Sequence, residues 1–567
     1  MSQNVIIIGA VALGAKAACR VKRLMPDARV LLIDADEQIS YGGCGIPYYV
    51  SGDISDASEL RSTSFHRVRD EAFFREDKGV EVMTKTTALS IDREKKLVRV
   101  QLKTGEKKDF FYDKLVLATG ARPRELNIPG FNKKNVFSVG SLNDGIAIKK
   151  SLVSGGIEKA VIIGAGFIGL EMAEAVADMW EVETHVVEYC DQVMPGFVSK
   201  NLSLMAQKAL EDRGVMFHLG ESVRAIEGDD TVSGVRTDHG LLEADMVISA
   251  VGISPNCDLA VQAGLQVSEQ GHIIVNDRMQ TSDPDIYSGG DCVTITNLVT
   301  GKPGYFPLGS MANRQGRVIG SNIAGMSARF PGAVGSFAVK IFDYALAGAG
   351  LSIETALKEG FDAASIQVAQ FDRAHFYPEK EIVFLELVVD RKTRRVLGIQ
   401  GFGGKDSGLI ARINAVAVLL SHHITVDAIS NLEFTYSPPF ASAMDIVNAL
   451  GNAAENYLDG RLKPIRALEF KKYWENRDSG EVFFLDCRAA ADGYPIEEKH
   501  PECWKNIPHD QLKSRMHEVP KDKKLILICN TGVRSYEAQL NLEAAGIKDT
   551  LNLGAGMAGL RACGIDV

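Results

Sequence analysis

Two glycine-rich turns, each set between a short apolar strand and a helix, constrain this chain more than anything else in it. The cleaner one lies in KAVIIGAGFIGLEMAEAVADM, where Gly164, Gly166 and Gly169 follow a strand. The next strand, THVVEYC, ends on Glu188, about 20 residues on, where a βαβ dinucleotide fold keeps its ribose-binding acid. The N-terminus of such a helix accepts a pyrophosphate, because its first N–H groups have no partner inside the helix. A carboxylate at Glu188 hydrogen-bonds a free 2′-hydroxyl and repels a 2′-phosphate, so NADH is favoured over NADPH. A less regular copy opens the chain. NVIIIGAVALGAKAACRVKRL carries Gly9 and Gly14, with Val11 where the second glycine is expected, and the strand VLLIDAD ends on Asp34. Two such units predict an α/β protein that binds two dinucleotides.

Three further segments bear on which two. DKLVLATGARP, with Thr119 and Gly120, and DMVISAVGISPN both read as a strand running into a glycine crossing. DPDIYSGGDC reads as a strand ending on Asp291. These resemble the recurring motifs of the two-dinucleotide flavoprotein reductases. The resemblance implies FAD on the first fold, with Asp291 at its ribityl chain, and NADH on the second. It also implies the order FAD half, NADH insert, FAD half and interface domain.

The chain has nine cysteines, scattered and without a C-x-x-C pair. That usage fits one or two reactive thiols among buried ones better than a disulfide framework or a zinc site, so no metal is expected. Cys44 stands out, lying among glycines in SYGGCGIPYYVSG. The resemblance places this stretch at the start of a helix against the flavin, where a helix N-terminus would lower the thiol pKa. Glutathione-reductase-like members carry a cysteine pair here, whereas this chain has only Cys44. It is therefore expected to form a mixed disulfide with a substrate or to be oxidised to a sulfenic acid. Single-cysteine NADH peroxidases and oxidases take the second course and carry a histidine in the first glycine turn, where this chain has Ala12. The stretch around Cys44 is similar to the active-site motif of the coenzyme A-disulfide reductases, which take the first.

That resemblance implies further roles. Arg20 and Arg23, on the first helix with Lys22, match positions that contact coenzyme A, as do Ser40 and Lys78. Two tyrosines contributed by the partner subunit of a homodimer would hydrogen-bond the substrate sulfur and help a thiol leave. EFTYSPPFASAMD supplies Tyr436 for one place. RAHFYPE supplies Tyr377 for the other, with Phe376 where relatives have a second tyrosine.

Past the polar link AAENYLDGRLKPI the pattern changes. VFFLDCR is a strand closing on Asp486 and Arg488, and KLILICNTGVRSYEAQLNLEAAG is a strand, a loop and an amphipathic helix. In CNTGVR, Cys529 ends a buried strand and opens a loop whose amide groups can face inward, a nest for a thiolate or persulfide anion. Arg534 adds charge and holds the loop. Four residues separate the cysteine from the arginine, a smaller cradle than that of phosphatases of similar fold, and one suited to a sulfane sulfur. This region resembles a rhodanese domain. Cys503, in KHPECWKNIP, reads as structural.

The expected architecture is α/β: two Rossmann-like dinucleotide-binding domains, an α+β dimerisation domain and a C-terminal α/β rhodanese domain. The expected division gives 1–112 and 251–327 to FAD, 113–250 to NADH with a crossover, 328–450 to dimerisation, 451–464 to a linker and 465–567 to the rhodanese. A formal net charge of -10 speaks against nucleic acid as a main partner. The first residues lack a basic n-region and no run suits a membrane helix, so a cytoplasmic protein is expected. Because a rhodanese moves sulfane sulfur, its fusion to the reductase favours an NADH- and FAD-dependent reductase of coenzyme A persulfide or polysulfide. The rivals are a coenzyme A-disulfide reductase that maintains the thiol, an NADH oxidase or peroxidase, and a module whose flavin reports redox state to a partner protein.

Overall fold

In the first strand, Asn4–Ile8, four apolar residues in a row are buried on both faces, as a central parallel strand requires. The computed structural model describes residues 2–567 and places this strand at the centre of a five-stranded parallel sheet. From edge to edge the order is Ile286–Ser288, Lys114–Leu117, Asn4–Ile8, Arg29–Ile33 and Glu81–Met83. The chain thus leaves this sheet after Lys114–Leu117 and returns to it at Ile286–Ser288. The intervening residues build a second parallel sheet, in the order Met216–Leu219, Glu183–Glu188, Lys159–Ile163, Met246–Ser249 and Val136–Ser138. An antiparallel ribbon of Ala121–Pro123 and Ile253–Pro255 carries the chain out and back.

By its packing the chain divides into two units. One is residues 1–191 with 214–333 and holds both parallel sheets. Its first helix, Leu13–Leu24, lies closely on the helix Gly309–Ile323. A Cβ on Gly316 would sit 2.6 Å from the Leu13 carbonyl oxygen, so glycine is what permits the approach.

The other unit is residues 192–213 with 334–567. It contains a five-stranded antiparallel sheet in the order Phe337–Ile341, Tyr344–Gly350, Val396–Gly404, Ile382–Asp390 and Ala363–Phe371. Helices Leu409–Leu420 and Ile446–Leu458 belong with it. The C-terminal part is a five-stranded parallel sheet, ordered Pro464–Ile465, Thr550–Leu553, Lys524–Ile528, Val482–Asp486 and Trp504–Asn506. The α/β architecture expected from the sequence is the one observed. Among the described residues, no helix is long and apolar enough to cross a membrane, and no group of three or more His, Cys, Asp or Glu is placed to hold a metal ion.

Candidate active site

The two glycine turns have the same construction. Gly9 and Gly164 have φ of 105° and 103°, a region that penalises any side chain. A Cβ on Gly14 would meet the Gly9 carbonyl oxygen at 1.8 Å, and one on Gly169 would meet that of Gly164 at 1.9 Å. Each helix that follows, Leu13–Leu24 and Phe167–Trp180, starts without a side-chain cap and without an acid in its first turn. The orphan N–H groups are thus left for an anion. Around Gly166 a Cβ would meet nothing within 4 Å, an opening through which a pyrophosphate can approach the backbone. The two acids also match. Asp34 accepts a hydrogen bond from the Ala10 N–H at 2.7 Å, and Glu188 accepts one from the Ala165 N–H at 2.8 Å. Each carboxylate is held at the mouth of its own turn.

At the returning strand, the structure corrects one boundary. The strand stops at Ser288, and Gly289 and Gly290 carry the chain on to Asp291. Burial raises the Asp291 carboxyl to about 6. Tyr305 donates its hydroxyl to the Asp291 carbonyl at 2.9 Å, and the Gly290 N–H donates to the Gln315 side chain at 2.6 Å. Thr119 donates to the Asn256 carbonyl at 2.6 Å, and the Asn256 amide returns a bond to the Thr119 carbonyl at 2.9 Å. The two glycine crossings are laced together, with Gly120 in the left-handed region (φ 64°) and open space around it. Two uncapped helix starts, two sheet-end acids and this buried carboxyl suit a pair of dinucleotides.

Cys44 lies in the 3-10 turn Gly43–Gly45, ahead of the five-residue helix Ile46–Val50. That segment is pinned from the second dinucleotide fold: Lys149 donates to the Tyr49 carbonyl at 2.7 Å, and the Trp180 indole donates to the Val50 carbonyl at 2.9 Å. The expectation of a lowered Cys44 pKa from the helix it opens is not met. The helix is too short for much of a dipole, and the thiol is pushed up, first by the crowding of protein atoms around it, then by the carboxylates of Glu171 and Asp291. Cys44 is nonetheless exposed on one side. The opposing, thiolate-favouring influence comes from backbone N–H groups: that of Gly309, the first residue of the long helix Gly309–Ile323, and that of Cys44 itself. A Cβ on Gly309 would lie 3.7 Å from the sulfur.

Sequence reasoning missed Gly309, Glu171 and Tyr48. Burial raises the Glu171 carboxyl to about 7, and the Tyr48 hydroxyl, which donates to it at 3.3 Å, works the other way. A signal was present: Glu171 and Glu174 interrupt an otherwise apolar helix face, FIGLEMAEAVA, and such acids call for a reason beyond packing.

The residues assigned to coenzyme A are only partly brought together. Arg23 and Lys78 converge on Cys19, whose thiol is raised by burial and drawn back by those two cations. Lys78 also rests over the Phe73 ring at 4.7 Å. Arg20 instead donates to the Ser321 hydroxyl at 3.0 Å, and Lys22 is engaged by the Ala28 carbonyl at 3.0 Å. Of the assigned cations, Arg23 and Lys78 are the two that act on one thiol, with Lys16 beside them. Ser40 is buried at 6% exposure, with its N–H on the Ala10 carbonyl.

Tyr377 and Tyr436 stand on two adjoining loops of the other unit. The Ala374 N–H bonds the Pro438 carbonyl, and the Ser442 hydroxyl bonds the Arg373 carbonyl at 3.1 Å. Beneath them Arg412 and Asp445, both buried, form an ion pair at 2.9 Å, and Arg412 also donates to the Asp372 carbonyl at 2.6 Å. Tyr436, Phe376, Phe440 and Met444 are all exposed.

At the C-terminal site, Cys529 follows the strand Lys524–Ile528. Its sulfur accepts the Gly532 N–H at 3.1 Å and the Ser535 hydroxyl at 3.3 Å. Gly532, with φ of 97°, precedes the helix Val533–Ala544, whose start has no side-chain cap, so the sulfur sits at the positive end of a twelve-residue helix. Asn552 donates to the Gly532 carbonyl at 3.1 Å and secures the loop from below. Arg534, the second residue of that helix, is half-buried. Cys503 is buried and directs its thiol to the His500 carbonyl.

Comparison with known proteins follows these divisions. Residues 3–316 match the family described as Pyridine nucleotide-disulphide oxidoreductase, residues 336–447 its dimerisation domain, and residues 469–563 the Rhodanese-like domain. The chain is 36% identical over 445 residues, 78% of its length and 96% of the relative's, to a CoA-dependent NAD(P)H sulfur oxidoreductase of Pyrococcus abyssi. It is 33% identical over 453 residues, 80% of its length and 98% of the relative's, to an NADH oxidase of Methanocaldococcus jannaschii. The structure of an NAD-dependent persulfide reductase from A. fulgidus superimposes with a TM-score of 0.92 at 38% identity, covering 98% of this chain and 99% of that one.

Proposed function

We propose that this chain, which belongs to the pyridine nucleotide-disulphide oxidoreductase family, is an NADH-dependent flavoprotein that reduces coenzyme A persulfide, polysulfide or related disulfides at Cys44. The observation that carries the reading is the pairing, in one chain, of an exposed single thiol facing the start of a long helix with a second thiol that accepts the Gly532 N–H and the Ser535 hydroxyl at another helix start. A sulfenate-forming oxidase would use the first thiol but leaves the second without a purpose.

In this reading FAD is held by the Gly9–Gly14 turn, Asp34, Thr119, Gly120 and Asp291, and NADH by Gly164, Gly166, Gly169 and Glu188. Bound FAD supplies the means of passing the NADH electron pair to a sulfur–sulfur bond at Cys44. The protein's own part is as follows. The Cys44 thiolate, steadied by the Gly309 N–H, attacks the sulfane sulfur of the persulfide, and the coenzyme A thiolate leaves. Tyr377 and Tyr436 of the partner subunit in a homodimer give that leaving thiolate a hydrogen bond. Arg23 and Lys78 hold coenzyme A phosphates, with Arg20 and Ser40 nearby. The electron pair and a proton then free sulfide and restore the Cys44 thiolate. Cys529, with Arg534 on the helix that follows its loop, carries sulfane sulfur to or from coenzyme A. A cytoplasmic setting fits, since the chain uses reduced pyridine nucleotide and free thiols.

NADH oxidation with three acceptors, the two sulfur compounds supplied anaerobically and oxygen supplied alone, tests this. Coenzyme A persulfide should be turned over faster than coenzyme A disulfide, and oxygen should be the poorest acceptor. Oxygen as the best acceptor would overturn the reading in favour of an oxidase. Polysulfide reduction at the same rate with and without added coenzyme A would remove the carrier role.

A further inference from the structure

Cys487 lies between the buried pair Asp486 and Arg488 and has no role in the chemistry above. Strands Val482–Asp486 and Lys524–Ile528 run parallel, with Asp486 opposite Ile528 as their last pair. The Cys487 N–H bonds the Ile528 carbonyl at 2.8 Å and closes that last pair, so Cys487 and Cys529 are the next residue along each of the two neighbouring strands. Neighbouring strands lie about 4.8 Å apart, inside the Cα separation a disulfide accepts.

Further observations agree with this placement. Leu485, Cys487 and Leu527 pack in one apolar cluster with Ala538 and Leu542 of the helix Val533–Ala544. Ser535, which bonds the Cys529 sulfur, stands on that same helix, one turn before Ala538. Both thiols are almost fully buried, at 0% and 1% exposure. The Cys487 side is also held firmly. Arg488 grips Asp486 at 2.6 Å, and the Asn506 amide bonds the carbonyls of both residues at 3.0 and 3.1 Å.

We propose that Cys487 is the resolving thiol of Cys529. Sulfane sulfur loaded on Cys529, a step that rests on the persulfide reading above, is discharged inside the domain. The Cys487 sulfur attacks the Cys529 sulfur, the bond to the outer sulfur breaks, and hydrosulfide leaves with the electron pair and the Cys487 proton. The sulfane sulfur is reduced to sulfide, and the two cysteines are oxidised to a Cys487–Cys529 disulfide. Two equivalents of a small thiol, of the coenzyme A class, reopen it and leave as their own disulfide, which is a substrate class of the Cys44 site. The C-terminal domain would thus release sulfide in a thiol-dependent reaction that uses no flavin.

Full-length protein carrying Cys44→Ser, so that Cys44 takes no sulfur, is mixed anaerobically with thiosulfate without NADH or thiol. After alkylation, peptides are mapped by mass and free sulfide is measured. The expected result is one equivalent of sulfide per chain and a Cys487–Cys529 disulfide. With Cys487→Ser added, sulfide release is lost and the Cys529 peptide keeps one extra sulfur atom. Cys487→Val, which preserves an apolar residue in the strand, should behave as the serine variant does. A stable Cys529 persulfide beside an alkylated Cys487 in the parent protein would overturn this inference and leave the persulfide reading standing. No sulfur on Cys529 in any variant would overturn both.

Discussion

At Cys44 two influences oppose each other. Crowding and the Glu171 carboxylate hold the thiol up, while the Gly309 N–H favours the thiolate. Glu171 itself titrates near neutrality, at about 7, so raising the pH charges the very group that resists thiolate formation. Glu171→Gln should remove that opposition. The pH profile of Cys44 alkylation should move to lower pH, and the thiolate fraction at neutral pH should rise, as read by iodoacetamide trapping. A profile that stays in place would remove Glu171 from the groups that set the thiol. Cys44 was legible in the sequence because its glycine-rich setting is local. Glu171 and Gly309 were not, because they lie far along the chain and only the fold brings them to the sulfur. The same holds for Cys487, which gains meaning only from strand register.

Helix ends and sheet edges give the element-scale expectations. Glu188 stands at the end of its strand with two backbone N–H groups on its oxygens, from Ala165 and Cys190. Charge-assisted bonds of this kind contribute about 1.5–3 kcal/mol. Glu188→Ala should therefore raise the KM for NADH at least about tenfold, with little change in kcat, and should narrow the preference over NADPH. Equal KM values for the variant and the parent would remove Glu188 from the ribose site. In the other unit, Arg412 and Asp445 support the loops of Tyr377 and Tyr436. Removing one partner of a buried pair costs about 3–5 kcal/mol, so Arg412→Ala should lower the thermal midpoint and reduce turnover through loosened loops.

Glu386 belongs at this scale too. It is fully buried in the middle of a polar row, Gln367, Glu386 and Gln400, crossing the antiparallel sheet. Ser199 donates to one of its oxygens at 2.7 Å, and the other has no partner. Burial raises its pKa, so the folded state holds a proton that the unfolded state has released. The associated stability is present at acid pH and is lost as the pH rises through the folded pKa. Glu386→Gln should leave acid stability unchanged and raise the thermal midpoint at alkaline pH, checked by melting across pH. The strands of this sheet were not located individually from the sequence, since a stripe of polar residues inside a buried sheet hides the usual alternation.

For the whole molecule, the sequence pattern reached further than the site did. Repeated glycine turns and the change of pattern after AAENYLDGRLKPI follow from local chemistry, so the α/β class was readable. Which basic residues converge was not: Arg20 turns to Ser321 and Lys22 to backbone carbonyls, contacts that helical spacing cannot reveal. The dimeric reading has its own test. Inactive Cys44→Ser chains mixed with inactive Tyr377→Phe/Tyr436→Phe chains should regain about a quarter of full activity, because half of the dimers are mixed and each holds one intact site. No recovery would place the tyrosines in the same chain as the cysteine they serve. The most direct measurement of the central claim is sulfide released per NADH oxidised, anaerobically, with coenzyme A persulfide as acceptor, for the parent protein and Cys44→Ser. One sulfide per NADH, lost in the variant, is the predicted result. Sulfide release that survives in Cys44→Ser with NADH consumption intact would contradict it.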